Sequence, residues 1–275
     1  MDKHKSGATS AKNAPKPKKS LGQNFLTDNL AIDTVVEAIN PQPQDTIVEI
    51  GPGHGELTLP LLKSGAKVIA IEKDSSLARK LVGSLAEEIH KKQLEVIEGD
   101  ALKILPSLFA NELKSQRANK LVGNIPYYIT GFLLRTISEL EHKPASIVLT
   151  IQKEVAERIC AVPGEMNLLA ASVQFWGKPE IIKIIPRESF YPIPKVDSAV
   201  IKIVPSHKPI ANSEKYYSFI KTLFKQPRKT ILNNLRELFS AEEIQKTGIN
   251  PALRPQNLSM ENIFKLLALS KLKQE

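Results

Sequence analysis

Thr46-Ile47-Val48-Glu49-Ile50-Gly51-Pro52-Gly53-His54-Gly55 is the stretch from which the fold can be read. Its first five residues are apolar and β-branched enough to form a buried strand. Glycines at alternate positions then let the chain turn sharply and approach a ligand closely at the mouth of a parallel sheet. Helical spacing follows over 55–64, and from there strands and helices alternate. The pattern predicts strands at 67–71, 94–98, 120–123 and 146–151, with helices over 75–90 and around 101–109, 129–140 and 153–160. Upstream, Thr27 or Asp28 can N-cap a helix that runs to Pro41. Such alternation specifies a parallel sheet with helices on both faces.

The pattern changes after residue 180. The apolar runs 180–185 and 198–204 have no helix between them, only the loop 186–197, and read as a closing antiparallel pair. Pro205 and Pro209 mark a linker, after which the apolar spacing is helical with interruptions at Pro227, Gly248, Pro251 and Pro255. The expected organisation is a disordered tail over 1–17, a sheet domain over 18–205 and a small helical domain over 206–275. No internal repeat is evident.

Composition narrows the function classes. The 275 residues are 42% hydrophobic and 24% charged, with no apolar run near the ~20 residues of a membrane span and no signal-peptide core behind the N-terminal lysines. The single Cys160 excludes an internal disulfide and a cysteine-based zinc site, and fits a reducing, cytoplasmic compartment. The histidines His4, His54, His90, His142 and His207 have no metal-ligand spacing, so no metal site is expected. The net charge of +9 is unevenly spread: residues 1–20 carry +5, residues 206–275 carry +6, and residues 21–205 carry −2. Two basic flanks on a near-neutral core suggest a polyanionic partner, with nucleic acid the natural candidate. Within the helical segment, Lys221, Lys225, Arg228, Lys229 and Arg236 are the candidate phosphate contacts.

Acidic residues end successive strands. The loop spacing is G-x-G-x-G, with Glu56 in the third glycine position of a dinucleotide fingerprint, which argues for a ligand without a pyrophosphate. Glu72 ends the second strand, where a carboxylate can grip ribose hydroxyls. Asp100 follows the third strand, placed to accept from an adenine amine. Singly, each could be a solvated cap. In order with Gly51 and Gly53, they form a nucleoside site, and an adenosine ligand whose sulfonium carries a methyl group fits it.

Gly123-Asn124-Ile125-Pro126-Tyr127 ends the next strand. In isolation it could be a strand-ending turn. Beside a methyl donor it suits the methylation of an exocyclic base amine, a poor nucleophile because its lone pair is delocalised into the ring. The Asn124 oxygen and the Ile125 carbonyl could each accept one N–H, Pro126 stiffens the turn, and Tyr127 offers a π-face to a flipped-out base. Neither Glu49 nor His54 is needed as a base, because the product ammonium is acidic enough to lose its proton to water.

The chain closely resembles the ribosomal RNA adenine dimethyltransferases, the group that acts on small-subunit RNA, over roughly residues 18–270. The match runs through Lys19-Ser20-Leu21-Gly22-Gln23-Asn24-Phe25-Leu26, the glycine loop, Ile71-Glu72, Gly99-Asp100 and Gly123 to Tyr127. It continues in Phe190-Tyr191-Pro192-Ile193-Pro194-Lys195-Val196-Asp197-Ser198, Arg228-Lys229-Thr230, Asn233-Asn234-Leu235 and Arg254-Pro255-Gln256-Asn257-Leu258-Ser259. The resemblance implies a Rossmann-like class I methyltransferase sheet and S-adenosyl-L-methionine as donor, with contacts from Asn24, Leu26, Gly51, Glu72, Asp100 and Asn124. It implies as substrate two adjacent adenosines near the 3′ end of 16S RNA in an assembling 30S particle, and a monomeric enzyme. It also implies that Phe190 faces the target base opposite Tyr127, although a Phe in a loop is more often a buried anchor. Phe175 and Trp176 belong in the core.

Three positions depart from the family pattern: Tyr128, the segment Met166-Asn167-Leu168-Leu169, and Pro227, where the first C-terminal helix could break. The rival readings are the enzymes that dimethylate one adenosine of large-subunit RNA, a DNA adenine methyltransferase, and a non-catalytic RNA-binding assembly factor. The 19–26 and 254–259 motifs favour the small-subunit group. A DNA enzyme would need an extra target-recognition region, and the complete Gly51, Glu72, Asp100 and Asn124 set argues against lost catalysis.

Overall fold

The computed structural model describes residues 17–110, 118–206 and 213–272. The tail expected over 1–17 lies outside them but for Pro17, as does Pro209 of the linker.

A seven-stranded sheet forms the core. Its strands are β2 (Thr46–Ile50), β3 (Lys67–Glu72), β4 (Leu94–Glu98), β5 (Lys120–Asn124), β6 (Ser146–Gln152), β7 (Gly177–Ile185) and β9 (Ser198–Pro205), in the order β4-β3-β2-β5-β6-β9-β7. The first five pair in parallel, while β9 runs antiparallel between β6 and β7. The closing pair therefore stands as the sequence suggested. Two-residue strands β1 (Phe25–Leu26) and β8 (Phe190–Tyr191) make a separate antiparallel ribbon.

Every residue of β2 is buried, because helices cover both sheet faces; Ile47, Val48 and Ile50 pack in the core, and the buried Glu49 carboxyl is met by the Thr58 hydroxyl. One face packs on α1 (Asn29–Ile39), α2 (Thr58–Lys63) and α3 (Ser75–Ser84); the other packs on α5 (Ala101–Phe109), α6 (Thr130–Glu139) and α7 (Lys153–Ile159). Asp28, rather than Thr27, caps α1 through a bond from the Leu30 N–H. The helix expected from residue 55 begins at Thr58, since Gly55 holds φ at +94° and prolongs the loop. The helix expected over 75–90 breaks at Leu85, whose φ of −120° leaves helical space while its side chain is buried; the short α4 (Ala86–His90) follows.

Trp176 is buried in the sheet-domain core, and Phe175 stacks on Tyr216 at 3.6 Å between ring centroids. Helix α8 (Leu168–Gln174) is capped by Asn167, so the atypical 166–169 segment serves as a helix start. The C-terminal helices are α9 (Ser213–Leu223), α10 (Ile231–Leu235), α11 (Ala241–Lys246) and α12 (Met260–Leu272). Helix α9 stops at Leu223, ahead of Pro227, which lies in a turn. These helices share one apolar core with Met166, Ala170 and Ala171, so the helical region is packed onto α8 across the expected boundary at 206.

The chain enters the sheet at β2, builds outward through β3 and β4, then returns to β5 on the other side of β2. Such a reversal opens a crevice at the carboxyl ends of the two central strands. Gly51 and Asn124 stand there.

Candidate functional site

A groove opens at this crevice. Its walls are the 21–25 segment, Gly51 and Gly53, Ile71 to Lys73, Gly99 to Ala101, and Asn124 to Ile129. The structure thus brings Asn24, Gly51, Gly53, Glu72, Asp100, Asn124, Ile125, Pro126 and Tyr127 together from separate elements. Leu26 lies in an adjoining smaller cleft that shares Gly51, Gly53 and Asn124 with the groove.

The glycine loop is built for close approach. Gly51 and Gly53 take φ of +68° and +61°, where a side chain is strained, and a Cβ on Gly53 would lie 3.0 Å from the Phe25 ring. The Gly53 N–H donates to Glu72 Oε2 at 3.2 Å and the Asp74 N–H donates to Oε1 at 2.8 Å. Burial pushes the Glu72 carboxyl above its ordinary range, and these backbone donors pull it back in part. Each oxygen keeps acceptor capacity for a ribose hydroxyl.

Asp100 is more committed than its strand-end position suggests. Its Oδ1 caps α5 by accepting from the Leu102 N–H at 3.0 Å, and its Oδ2 accepts from Lys73 at 2.9 Å. The Lys73 bond holds its pKa below the ordinary value, so it is an anionic acceptor at the groove rim.

Asn124 has a fixed amide. Its Nδ2 donates to the Asn24 carbonyl at 2.7 Å, and among the described residues no donor reaches its Oδ1. The next peptide is fixed too: the Ile125 N–H donates to the Thr150 carbonyl at 3.0 Å, leaving the Ile125 carbonyl without a donor among the described residues. Close strand approach makes this possible. A Cβ on Gly123 would fall 2.6 Å from the Ile50 carbonyl oxygen, so only glycine lets β5 run so near β2. Tyr127 is held by its hydroxyl, 2.9 Å from Ser198 Oγ, and burial pushes its phenol up, away from ionisation.

Phe190 departs from the expected exposed stacking face. It is 2% exposed, packs in the apolar core that contains Leu26, and is not among the residues lining the groove. Its backbone is paired with Leu26, and that pairing seats the ring. Lys221, Lys225, Arg228, Lys229 and Arg236 are all exposed on the helical region. His54 lies against the Phe25 ring at 4.5 Å, and Glu49 is fully buried, accepting from the Thr58 hydroxyl at 2.7 Å. Among the described residues no cluster of His, Cys, Asp or Glu has metal-binding geometry, and no helix is long and apolar enough to cross a membrane.

One part of the site had no local signal. Lys18 and Gln23 both donate to Asp74, at 2.8 and 3.1 Å, and fasten the N-terminal segment across the groove. Burial alone would raise the Asp74 pKa, but its bonds with Lys18, Ser76 and Gln23 outweigh that and hold the carboxyl far below its ordinary range. The sequence Asp74-Ser75-Ser76 marks a helix cap; nothing in it points to Lys18.

The family model described as "Ribosomal RNA adenine dimethylase" matches residues 14–271. A ribosomal RNA small subunit methyltransferase A from Lactobacillus acidophilus is 40% identical over 265 residues, covering 91% of this chain and 90% of that one. The protein of the same name from Dehalococcoides mccartyi is 38% identical over 262 residues, covering 91% and 87%. Among solved structures, a dimethyladenosine transferase from Plasmodium falciparum superposes with a TM-score of 0.76 at 26% identity, covering 91% of this chain and 98% of that one.

Proposed function

The chain belongs to the ribosomal RNA adenine dimethylase family, and from that premise we propose that it dimethylates the N6 amines of two adjacent adenosines near the 3′ end of small-subunit ribosomal RNA. The donor in this reading is S-adenosyl-L-methionine, the substrate is 16S RNA in an assembling 30S particle, and the working unit is a monomer in the cytoplasm.

The groove suits that donor. Gly51 and Gly53 leave room for close backbone approach, buried Glu72 suits ribose hydroxyls, and Asp100 suits an adenine amine. Asn24, Leu26 and Asn124 complete the set of residues that would hold it. When bound, S-adenosylmethionine supplies a methyl group on a positively charged sulfur, the electrophile the reaction needs.

The chain's own contribution is to make the amine nucleophilic. An adenine amine has two N–H donors, and Asn124 Oδ1 and the Ile125 carbonyl are two acceptors without protein partners among the described residues. Accepting from both draws the nitrogen towards tetrahedral geometry and localises its lone pair. Such interactions count for catalysis because they strengthen as the transition state forms. Pro126, at φ −53°, keeps the two acceptors on a stiff turn, and Tyr127 gives the extruded base a ring to lie on. The exposed cations of the helical region suit the RNA phosphates.

The observation that carries this reading is the locked Asn124 amide, which leaves oxygen and not nitrogen for the substrate. Labelled S-adenosylmethionine, offered with purified small-subunit or large-subunit particles lacking the modification, tests it. Label in small-subunit RNA alone is expected. Label in large-subunit RNA would transfer the chain to the rival group, and cofactor binding without transfer to either would favour a pure binding role.

A further inference from the structure

We propose that Tyr128 closes the cofactor groove over its nucleoside end and contributes directly to holding the adenosine part of the ligand. The inference rests on the reading of the groove as an S-adenosylmethionine site.

Tyr128 is a large aromatic that is 52% exposed, in a short turn (Tyr127–Ile129) where only Tyr127 has a role in positioning the target base. Its ring is not loose. A Cβ on Gly22 would lie 3.2 Å from the Tyr128 Cδ1 and 3.3 Å from Cε1, so the ring lies against the backbone of the N-terminal segment. Gly22 has φ +60°, which glycine tolerates best, and it carries no side chain to hold the ring away.

Tyr128 also lines the same groove as Lys73 and Asp100. Lys73 donates to Asp100 at 2.9 Å. The ring therefore lies against Gly22 of the N-terminal segment and faces the groove that the Lys73–Asp100 pair also lines. Asp100 marks the end where an adenine amine would be recognised. An aromatic face laid over that end can stack on a purine, an interaction open to any base. A plain surface tyrosine that only tethers the 18–24 segment is the competing account. It predicts a change in stability and none that follows the ligand's nucleoside.

Calorimetric titration of the full chain separates the two. S-adenosylhomocysteine and 5′-methylthioadenosine share the nucleoside and differ in the amino-acid tail. Tyr128→Ala is expected to weaken both by the same factor, roughly tenfold, the size of one base–aromatic stack. Tyr128→Phe, which keeps the ring, is expected to stay within about twofold of wild type. Unaltered 5′-methylthioadenosine affinity in Tyr128→Ala would overturn the proposal, as would an equal loss in Tyr128→Phe. A wild-type chain that binds neither ligand would overturn the cofactor reading and this inference together. Wild-type binding with an unaffected alanine variant would overturn the inference alone.

Discussion

Asn124 donates its side-chain amide to the Asn24 backbone carbonyl at 2.7 Å, joining two positions 100 residues apart. That bond decides which end of the Asn124 amide meets a substrate. It ties the N-terminal segment to the end of β5 and leaves Oδ1 as an acceptor. An amine-methylating site needs this polarity, because the amine nitrogen brings hydrogens and needs acceptors.

Asn124→Ala is therefore expected to cut turnover by several orders of magnitude, as removing an interaction made in the transition state does, with a much smaller loss of cofactor affinity. Asn124→Asp keeps an acceptor but sets a carboxylate against the Asn24 carbonyl, so it should weaken the tie and also lower turnover. Single-turnover rates alongside cofactor titrations check both. Near-normal turnover in Asn124→Ala would remove the residue from the mechanism.

Gly123→Ala probes the approach of β5 to β2. The added methyl would lie 2.6 Å from the Ile50 oxygen and 2.9 Å from Ile125 Cδ1, so strands must part. A loss of ~1–3 kcal/mol is expected for such overpacking, with a fall in turnover because Asn124 and Ile125 move with the strand. Gly83→Ala, in α3 with nothing within 4 Å of the new atom, is the matched control. It should be neutral or stabilising by up to about 1 kcal/mol. Thermal melts of the pair, with the turnover of each, read the difference.

Glu49 sets a pH dependence of stability. Full burial pushes its pKa from 4.5 to about 8, against a smaller pull from the Thr58 hydroxyl, with Glu56 and Glu72 adding to the rise. The folded chain thus keeps a proton that the unfolded chain releases above about pH 4.5. The sign follows: the group opposes folding more strongly as pH rises from 4.5 to about 8, by up to ~1.4 kcal/mol per pH unit, and levels off above that. Glu49→Gln keeps the shape and an acceptor for Thr58 but cannot ionise. Its melting temperature should fall less steeply than that of wild type across the window and exceed it at pH 9. Parallel curves would show that Glu49 is ionised in the fold at neutral pH.

Lys221, Lys225, Arg228, Lys229 and Arg236, all exposed on the helical region, should account for much of the salt sensitivity of RNA binding. Deleting the region is a poor test, because its core includes Ala170 and Ala171 of α8 and removal would uncover them. Neutralising Lys221, Lys225, Arg228, Lys229 and Arg236 to Gln leaves the packing intact. Every cation–phosphate pairing that this abolishes should lower the slope of log affinity against log salt by roughly 0.7–0.9. An unchanged slope would move the RNA surface elsewhere.

Much of this arrangement is legible in the residues themselves. Strand period and the glycine loop specify the parallel sheet, and Glu72 and Asp100, at the ends of β3 and β4, land on one groove because parallel strands share a carboxyl edge. Asn24 had no local signal; only its place in a family motif pointed to it, since what it offers is a backbone carbonyl, which any residue has. Asp74 reads as a cap, and its hold on Lys18 and Gln23 depends on sheet order. Leu85 breaks a helix that its neighbours favour because its side chain is buried in the core. Phe190 sits in a polar loop by composition and is buried because β8 pairs with β1, a pairing between distant parts of the chain. Local pattern yields the elements and the site's acids; long-range pairing decides which loop residues are buried.

The central claim is tested most directly by mass spectrometry of small-subunit RNA after incubation with the purified chain and excess S-adenosylmethionine. Asn124 and the Ile125 carbonyl can hold both hydrogens of an unmodified amine, and one of these bonds must yield to a methyl in the second round. The expected result is N6,N6-dimethyladenosine at two neighbouring positions near the 3′ end, with the monomethyl form only transient. Monomethyladenosine that accumulates and stays, or dimethylation confined to a single adenosine of large-subunit RNA, would contradict the account.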